Sequence, residues 1–301
     1  MMQFSCADFT FPVLERLKAL RLINLLGFDH VDIGLFARST HFSPAALDAS
    51  PRLYTAQAIA DLKEAQLAAS DVFLQIGREP EECAANDPSP LQRESNRNAF
   101  VRAVEFCAAL GCRHLTGLPG VFHAGVERRQ DLELAAREAS GRKAACTAAG
   151  LEYAIEPHAG SICSDVASTE EFLALAPGVT LTLDYGHFVM AGESSTAVHA
   201  LLRHASHVHV RGGSIGRLQT SVKENEIDFA GMMDGLQRLG YSGFLALEYV
   251  WIDWNGCNRT DNISETILLR RELEATIAGF ARSRREPDAI AGDLCKGGME
   301  R

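Results

Sequence analysis

The sequence lacks any paired cysteine motif. Its eight cysteines, Cys6, Cys83, Cys107, Cys112, Cys146, Cys163, Cys257 and Cys295, are scattered without CxxC spacing. That speaks against a disulfide framework and a thiolate zinc site, and leaves reduced core thiols as the expectation. Long apolar runs are missing as well: none approaches the ~18 residues of a membrane-spanning helix. The opening MMQFSCADF has no basic region leading into an apolar core, so a soluble, cytoplasmic protein without a membrane partner is expected. Positive charge is in deficit, with 29 Lys+Arg against 39 Asp+Glu and a net charge of −10. This is the wrong sign for a surface that tracks phosphate backbones, so nucleic acid is not an expected partner. No Pro/Gly/Ser linker cuts the 301 residues in two.

What is present is a repeated punctuation: an amphipathic helical stretch, a glycine, then a short apolar run. It occurs at LLGFDHVDI, ALGCRHLTG, AAGLEYAIE and RLGYSGFLALE, where Gly27, Gly111, Gly150 and Gly240 suit the left-handed position after a helix end. Ser89-Pro90-Leu91-Gln92, Ser168 to Glu171 and Asn262 to Glu265 carry the spacing of helix starts. Eight apolar β-prone runs stand near 2–6, 30–35, 71–76, 113–117, 151–156, 179–184, 205–210 and 243–249. Eight βα units of roughly 38 residues predict a single-domain (β/α)8 TIM barrel over 1–282, with the doubly wound open sheet as runner-up. Residues 283–301 turn polar and glycine-rich and read as a loose C-terminal tail.

The last four barrel runs end on Glu156, Asp184, His209 and Glu248, and His187 is expected three residues past Asp184 in a loop beyond the strand end. Side chains alternate along a strand, so these four share faces with Ala154, Thr182, His207 and Ala246, while Ile155, Leu183, Val210 and Leu247 face the other way. All four then converge on the barrel mouth. Three carboxylates brought to one buried point repel one another unless a cation or protons offset them. With one imidazole they form a hard, oxygen-rich set suited to a divalent metal ion, Mn²⁺ first, with Mg²⁺, Co²⁺ or Zn²⁺ as alternatives.

The order Glu156, Asp184-x-x-His187, His209-x-Arg211, Glu248 resembles the xylose isomerase-like TIM-barrel superfamily of sugar isomerases and epimerases. That superfamily includes D-tagatose 3-epimerase, hydroxypyruvate isomerase, inosose dehydratase and endonuclease IV. The resemblance implies one metal held by Glu156, Asp184, His209 and Glu248, proton transfer by Glu156 and Glu248, and substrate oxygens held by His187 and Arg211. Endonuclease IV needs an Asp-x-His pair between its seventh and eighth strands, and RGGSIGRLQTSVKENEIDF has none. The reading is therefore a metal-dependent isomerase or epimerase of a small polyhydroxylated ketone or sugar, phosphorylated or free, working through a metal-stabilised enediolate.

His158, two residues past Glu156, is a candidate to bind substrate or to serve as an acid for loss of water, with an ordinary supporting or loop role as the alternative. The second role would make the chain a dehydratase of an inosose- or dehydroshikimate-like ring. A non-catalytic sugar-binding barrel is the third reading. Asp8, His41, His123 and Lys223 are weaker pocket candidates, and WIDWNGCNRTDN, with Trp251 and Trp254, is a lid, an aromatic wall or an interface. Related barrels are commonly dimers or tetramers, and the sequence leaves the homo-oligomer question open.

Overall fold

The eight β-prone runs become eight parallel strands of one closed barrel in the computed structural model, which describes residues 2–283. The strands are β1 (Gln3–Ala7), β2 (His30–Phe36), β3 (Ala68–Gln75), β4 (His114–Gly117), β5 (Glu152–Ile155), β6 (Thr180–Asp184), β7 (Ala205–Val210), β8 (Gly212–Ser214), β9 (Arg217–Thr220) and β10 (Phe244–Leu247). Around the barrel they run β1, β10, β7, β6, β5, β4, β3, β2, while β8 and β9 form a separate antiparallel hairpin. The helices are α1 (Arg16–Leu25), α2 (Pro44–Ala49), α3 (Pro51–Ala65), α4 (Pro90–Ala109), α5 (Arg128–Ala148), α6 (Val166–Leu175), α7 (Tyr185–Met190), α8 (Ser195–Val198), α9 (Phe229–Arg238) and α10 (Asn262–Ser283). The barrel is one domain. Residues 284–301, where most of the loose tail is expected, lie outside the described residues.

Gly27, Gly111, Gly150 and Gly240 adopt φ of +87°, +74°, +75° and +70°. A Cβ there would strain the turn that aims each helix end back at the barrel. Helix starts depart from the sequence reading. Ser89 caps α4, but Gln92 turns to Asn96 and Cys83 instead of back to the cap. At α6 the cap is Asp165, and Ser168 is its reciprocal partner. At α10 Asp261 accepts from Ile263 and Ser264, which frees the Asn262 amide to tie down the Thr10 and Tyr249 carbonyls at 2.9 Å each.

Tyr153, Ile155, Leu181, Leu183, Val208, Val210, Leu245 and Leu247 are buried in the main apolar core between barrel and helices. The opposite faces fill the barrel interior: Thr116 and Thr182 hydroxyls meet there at 2.6 Å, and His207 reaches Asp32 from the far wall at 2.6 Å. Two bulges shape this interior. Pairing slips between Val31 and Asp32 and between Leu181 and Thr182, leaving Ser70 and Ser206 as extra residues. Bulges re-aim side chains, and here both serines bond to interior groups, Ser70 to Asp32 and Ser206 to His114 and Thr180. No helix among the described residues is long and apolar enough to cross a membrane.

Candidate active site

Glu156 and Glu248 each stand one residue beyond a strand, yet their amides continue the ladder, bonding to the Gly117 and Val210 carbonyls at 3.0 Å. Both side chains therefore keep the interior parity of Ala154 and Ala246. They meet at one atom: His209 Nδ1 lies 2.7 Å from Glu156 Oε1 and 3.1 Å from Glu248 Oε2. Asp184 ends β6 and caps α7, its Oδ1 accepting from Gly186 N at 2.7 Å. A helix thus follows Asp184 where the sequence reading places a loop, and it carries His187. Arg211, on the face of His209, donates to Asp184 Oδ2 through Nε at 3.0 Å and through a closer Nη2. Nη2 is also 3.2 Å from Glu248 Oε2 and 3.4 Å from His187 Nε2.

The electrostatics follow from this crowding. Burial first, then the charge of Glu248, pushes the Glu156 carboxyl up to about 7, against the opposing His209 hydrogen bond. Burial disfavours a charged His209, but Glu248, Asp32 and Glu156 together raise it well above the ordinary imidazole range. Burial and the neighbouring Arg211 hold His187 well below that range, so it is neutral at pH 7. The Ala159 N–H approaches His187 Nδ1 at 3.5 Å, and the Arg211 Nη2 donor approaches Nε2 at 3.4 Å. His158 is also lowered by burial. Its Nδ1 bonds the Ala159 carbonyl at 2.9 Å, and its buried Nε2 has no partner. The His158 and His187 rings stand 6.0 Å apart.

Ligand atoms of Glu156, His209 and Glu248 lie within 4.8 Å of one another, as do those of Glu156, Asp184 and His187. Glu156 belongs to both groups. Glu248 Oε2 is buried without a hydrogen bond. The four predicted ligands are thus divided between two overlapping groups, Asp184 standing with His187 and not with His209 and Glu248, and each group of two acids and an imidazole is a donor set that fits a hard divalent cation. Across the mouth an apolar cluster of Ala7, Phe9, Phe73, Leu218, Val250 and Cys257 forms the other wall, with Phe73 5.9 Å from the His209 ring. Trp254, 47% exposed, lies 6.2 Å from the His187 ring. The β8–β9 hairpin pins this segment: the Gln219 amide donates to the Val250 and Cys257 carbonyls at 3.1 and 2.8 Å and accepts from Val250 N at 2.7 Å.

The weaker candidates go elsewhere. His41 pairs with Asp8 at 3.1 Å, and Asp8 also receives the Gly34 amide at 2.8 Å, which anchors the loop after β2. His123 is held by Asp131 at 2.8 Å at the start of α5. Lys223 is exposed, unlike a lysine prepared for covalent chemistry. What sequence reasoning missed lies beneath the mouth. Asp32 and Asp71 are fully buried with His207, and their ligand atoms approach those of His207 and His209 within 4.8 Å. Single acids inside HVDIGLF and SDVFLQ, facing the same interior as His207, were the available signal.

Among curated proteins none matches the sequence. Solved structures share the fold across nearly the whole chain. An L-ribulose 3-epimerase superposes with a TM-score of 0.73 at 15% identity, covering 98% of this chain and 99% of its own. The D-allulose 3-epimerase of a Methylomonas species gives 0.69 at 17%, covering 91% and 98%. The probable 3-DHS dehydratase AsbF of Bacillus anthracis gives 0.67 at 14%, covering 89% and 99%. The model of the xylose isomerase-like TIM barrel family matches residues 20–273, and the chain belongs to that family.

Proposed function

We propose that the protein is a divalent-cation-dependent isomerase or epimerase that moves a proton within a small polyhydroxylated ketone. The observation that carries this reading is the approach of Glu156 and Glu248, from the ends of β5 and β10 with β6 and β7 between them, to the single atom His209 Nδ1 at 2.7 and 3.1 Å. Two carboxylates flanking one point can each serve one face of a bound substrate. One removes the proton beside the carbonyl. The other returns a proton to the opposite face, inverting the carbon, or to the neighbouring carbon, shifting the carbonyl. Glu156, Asp184, His209 and Glu248 would hold the cation, Mn²⁺ first, whose charge stabilises the negative oxygen that develops as the proton leaves. Arg211 presents N–H donors for substrate oxygens, with neutral His187 beside it at 3.4 Å. The Phe9–Phe73 wall and Trp254 keep bulk water from the reacting carbon.

Dehydration is the second reading, favoured by the unpartnered Nε2 of His158. That nitrogen is a bare lone pair, because Nδ1–H is spent on the Ala159 carbonyl. It suits accepting a hydroxyl proton better than donating one to departing water, so isomerisation stands first. The test is a panel of ketoses, inososes and dehydroshikimate incubated in D₂O with Mn²⁺ and read by mass spectrometry and NMR. Deuterium entering at the inverted or shifted carbon, with no loss of water, supports the first reading; loss of water supports the second. A protein that takes up no divalent cation and exchanges no proton sinks both.

A further inference from the structure

The His209 imidazole has two sides. Nδ1 faces the two glutamates; Nε2 faces the barrel interior, where it is buried without a hydrogen bond and its ion-pair neighbour is Asp32 Oδ2 at 3.5 Å. Asp32 itself is locked. Its Oδ1 accepts from Ser5 Oγ at 2.9 Å and from the bulge residue Ser70 at 2.5 Å, and its Oδ2 lies 2.6 Å from His207 Nε2. All of these groups are sealed from solvent, so Asp32 does not touch substrate. Asp71, the other acid of the cluster, is engaged through Oδ1 with His114 Nδ1 at 2.7 Å.

We propose that Asp32 is a positioning residue for His209: when a cation is bound, Asp32 Oδ2, 3.5 Å away, takes the Nε2–H and thereby leaves Nδ1 as the lone-pair nitrogen turned toward the ion between Glu156 and Glu248. The inference rests on the reading that those residues hold a cation. An imidazole that ligates through one nitrogen must carry its proton on the other, and a buried N–H without an acceptor is costly. Asp32 Oδ2 is the fixed acceptor on that side. Its three other donors prevent it from turning away, and the Phe73 and His207 rings, 5.9 and 5.4 Å from His209, hold the imidazole plane. Carboxylate-to-histidine contacts of this kind set ligand tautomer and orientation at metal sites, and their loss typically weakens metal binding about 10–100-fold.

Two measurements test the proposal. Titration calorimetry of the cation-free protein with Mn²⁺ is expected to show about 10–100-fold weaker binding for Asp32→Asn than for wild type. In ¹⁵N-histidine-labelled wild-type protein loaded with diamagnetic Zn²⁺, the His209 signal, assigned by its disappearance in His209→Gln, is expected to report protonation at Nε2 and ligation at Nδ1. Unchanged Mn²⁺ affinity in a folded Asp32→Asn protein, or a His209 protonated at Nδ1 in the Zn²⁺ form, overturns the proposal. If Asp32→Asn does not fold, the wild-type spectrum decides alone. Wild-type protein that binds neither cation overturns the cation reading as well, whereas tight wild-type binding with an indifferent variant overturns only the role of Asp32.

Discussion

Arg211 lies across Asp184 in the barrel mouth, its Nε 3.0 Å from Oδ2, with both side chains almost wholly buried. The same guanidinium reaches Glu248 at 3.2 Å. Burial opposes its charge, but Asp184 and Glu248 more than offset this and hold it protonated. One internal cation thus serves two of the four residues proposed to hold an external one. Removing one partner of a buried pair typically costs about 3–5 kcal/mol. Arg211→Met is expected to lose stability of that order in urea denaturation with chelator present, and to regain much of it with saturating Mn²⁺. Equal losses in both conditions would separate Arg211 from the cation's site.

Glu156→Gln and Glu248→Gln keep side-chain size but remove the proton acceptor. Each is expected to lower turnover by roughly 10²–10⁴-fold at saturating Mn²⁺, with far-ultraviolet circular dichroism unchanged. Solvent deuterium exchange into substrate separates the pair. The variant that lacks the abstracting base loses exchange along with turnover, while the variant that lacks the returning acid still exchanges. Exchange and turnover at wild-type rates in both variants would remove the glutamates from the chemistry.

Glu156 gives the cation-free protein a defined pH response. Its carboxyl is held up to about 7 by burial and by Glu248, above the ordinary value of 4.5. A raised folded-state value means that the native chain binds the proton more tightly than the unfolded chain does. The stability this contributes is complete below about 4.5 and is lost as pH rises through about 7. Melting with chelator is therefore expected to show a Glu156-dependent decline over that window, absent in Glu156→Gln. Saturating Mn²⁺ should flatten the decline, because the ion favours the ionised carboxylate. Superimposable profiles for wild type and Glu156→Gln would count against this assignment.

Gln219 connects the hairpin to the segment after β10 with three hydrogen bonds of 2.7–3.1 Å to backbone groups of Val250 and Cys257. Gln219→Ala leaves those buried groups short of partners, at about 1–3 kcal/mol. The expected signature is faster amide hydrogen exchange at Val250, without faster exchange in β5 or β6. A uniform rise across the barrel would instead mean global destabilisation.

The strands and the mouth were legible for different reasons. Alternation sets which way a residue points, so Glu156, Asp184, His209 and Glu248 could be placed on one face from LEYAIE, VTLTLD, HVHV and FLALE alone. Asp32 was not legible in this way. Its partner His207 is 175 positions away, and the neighbouring strand carries a bulge at Ser70 that no alternation pattern announces. Helix starts misread for a local reason: Asp165 and Asp261 cap α6 and α10, while Ser168 and Asn262, equally plausible by type, take other bonds. His187 looked like a loop residue because the capping bond from Gly186 to Asp184, which starts α7, needs a side chain already committed to the site.

The polar lining formed by Ser5, Asp32, Ser70, Thr116, Thr182 and His207 has a practical consequence for protein engineering. In a barrel plugged with hydrocarbon, the inner layers can be redesigned for heat resistance while the rim is left alone. Here an aliphatic substitution at Asp32 or His207 would alter the support of His209. Thermostabilising changes therefore belong on the outer ring of helices, where exposed Leu25, Leu53 and Leu91 can be exchanged without reaching the centre.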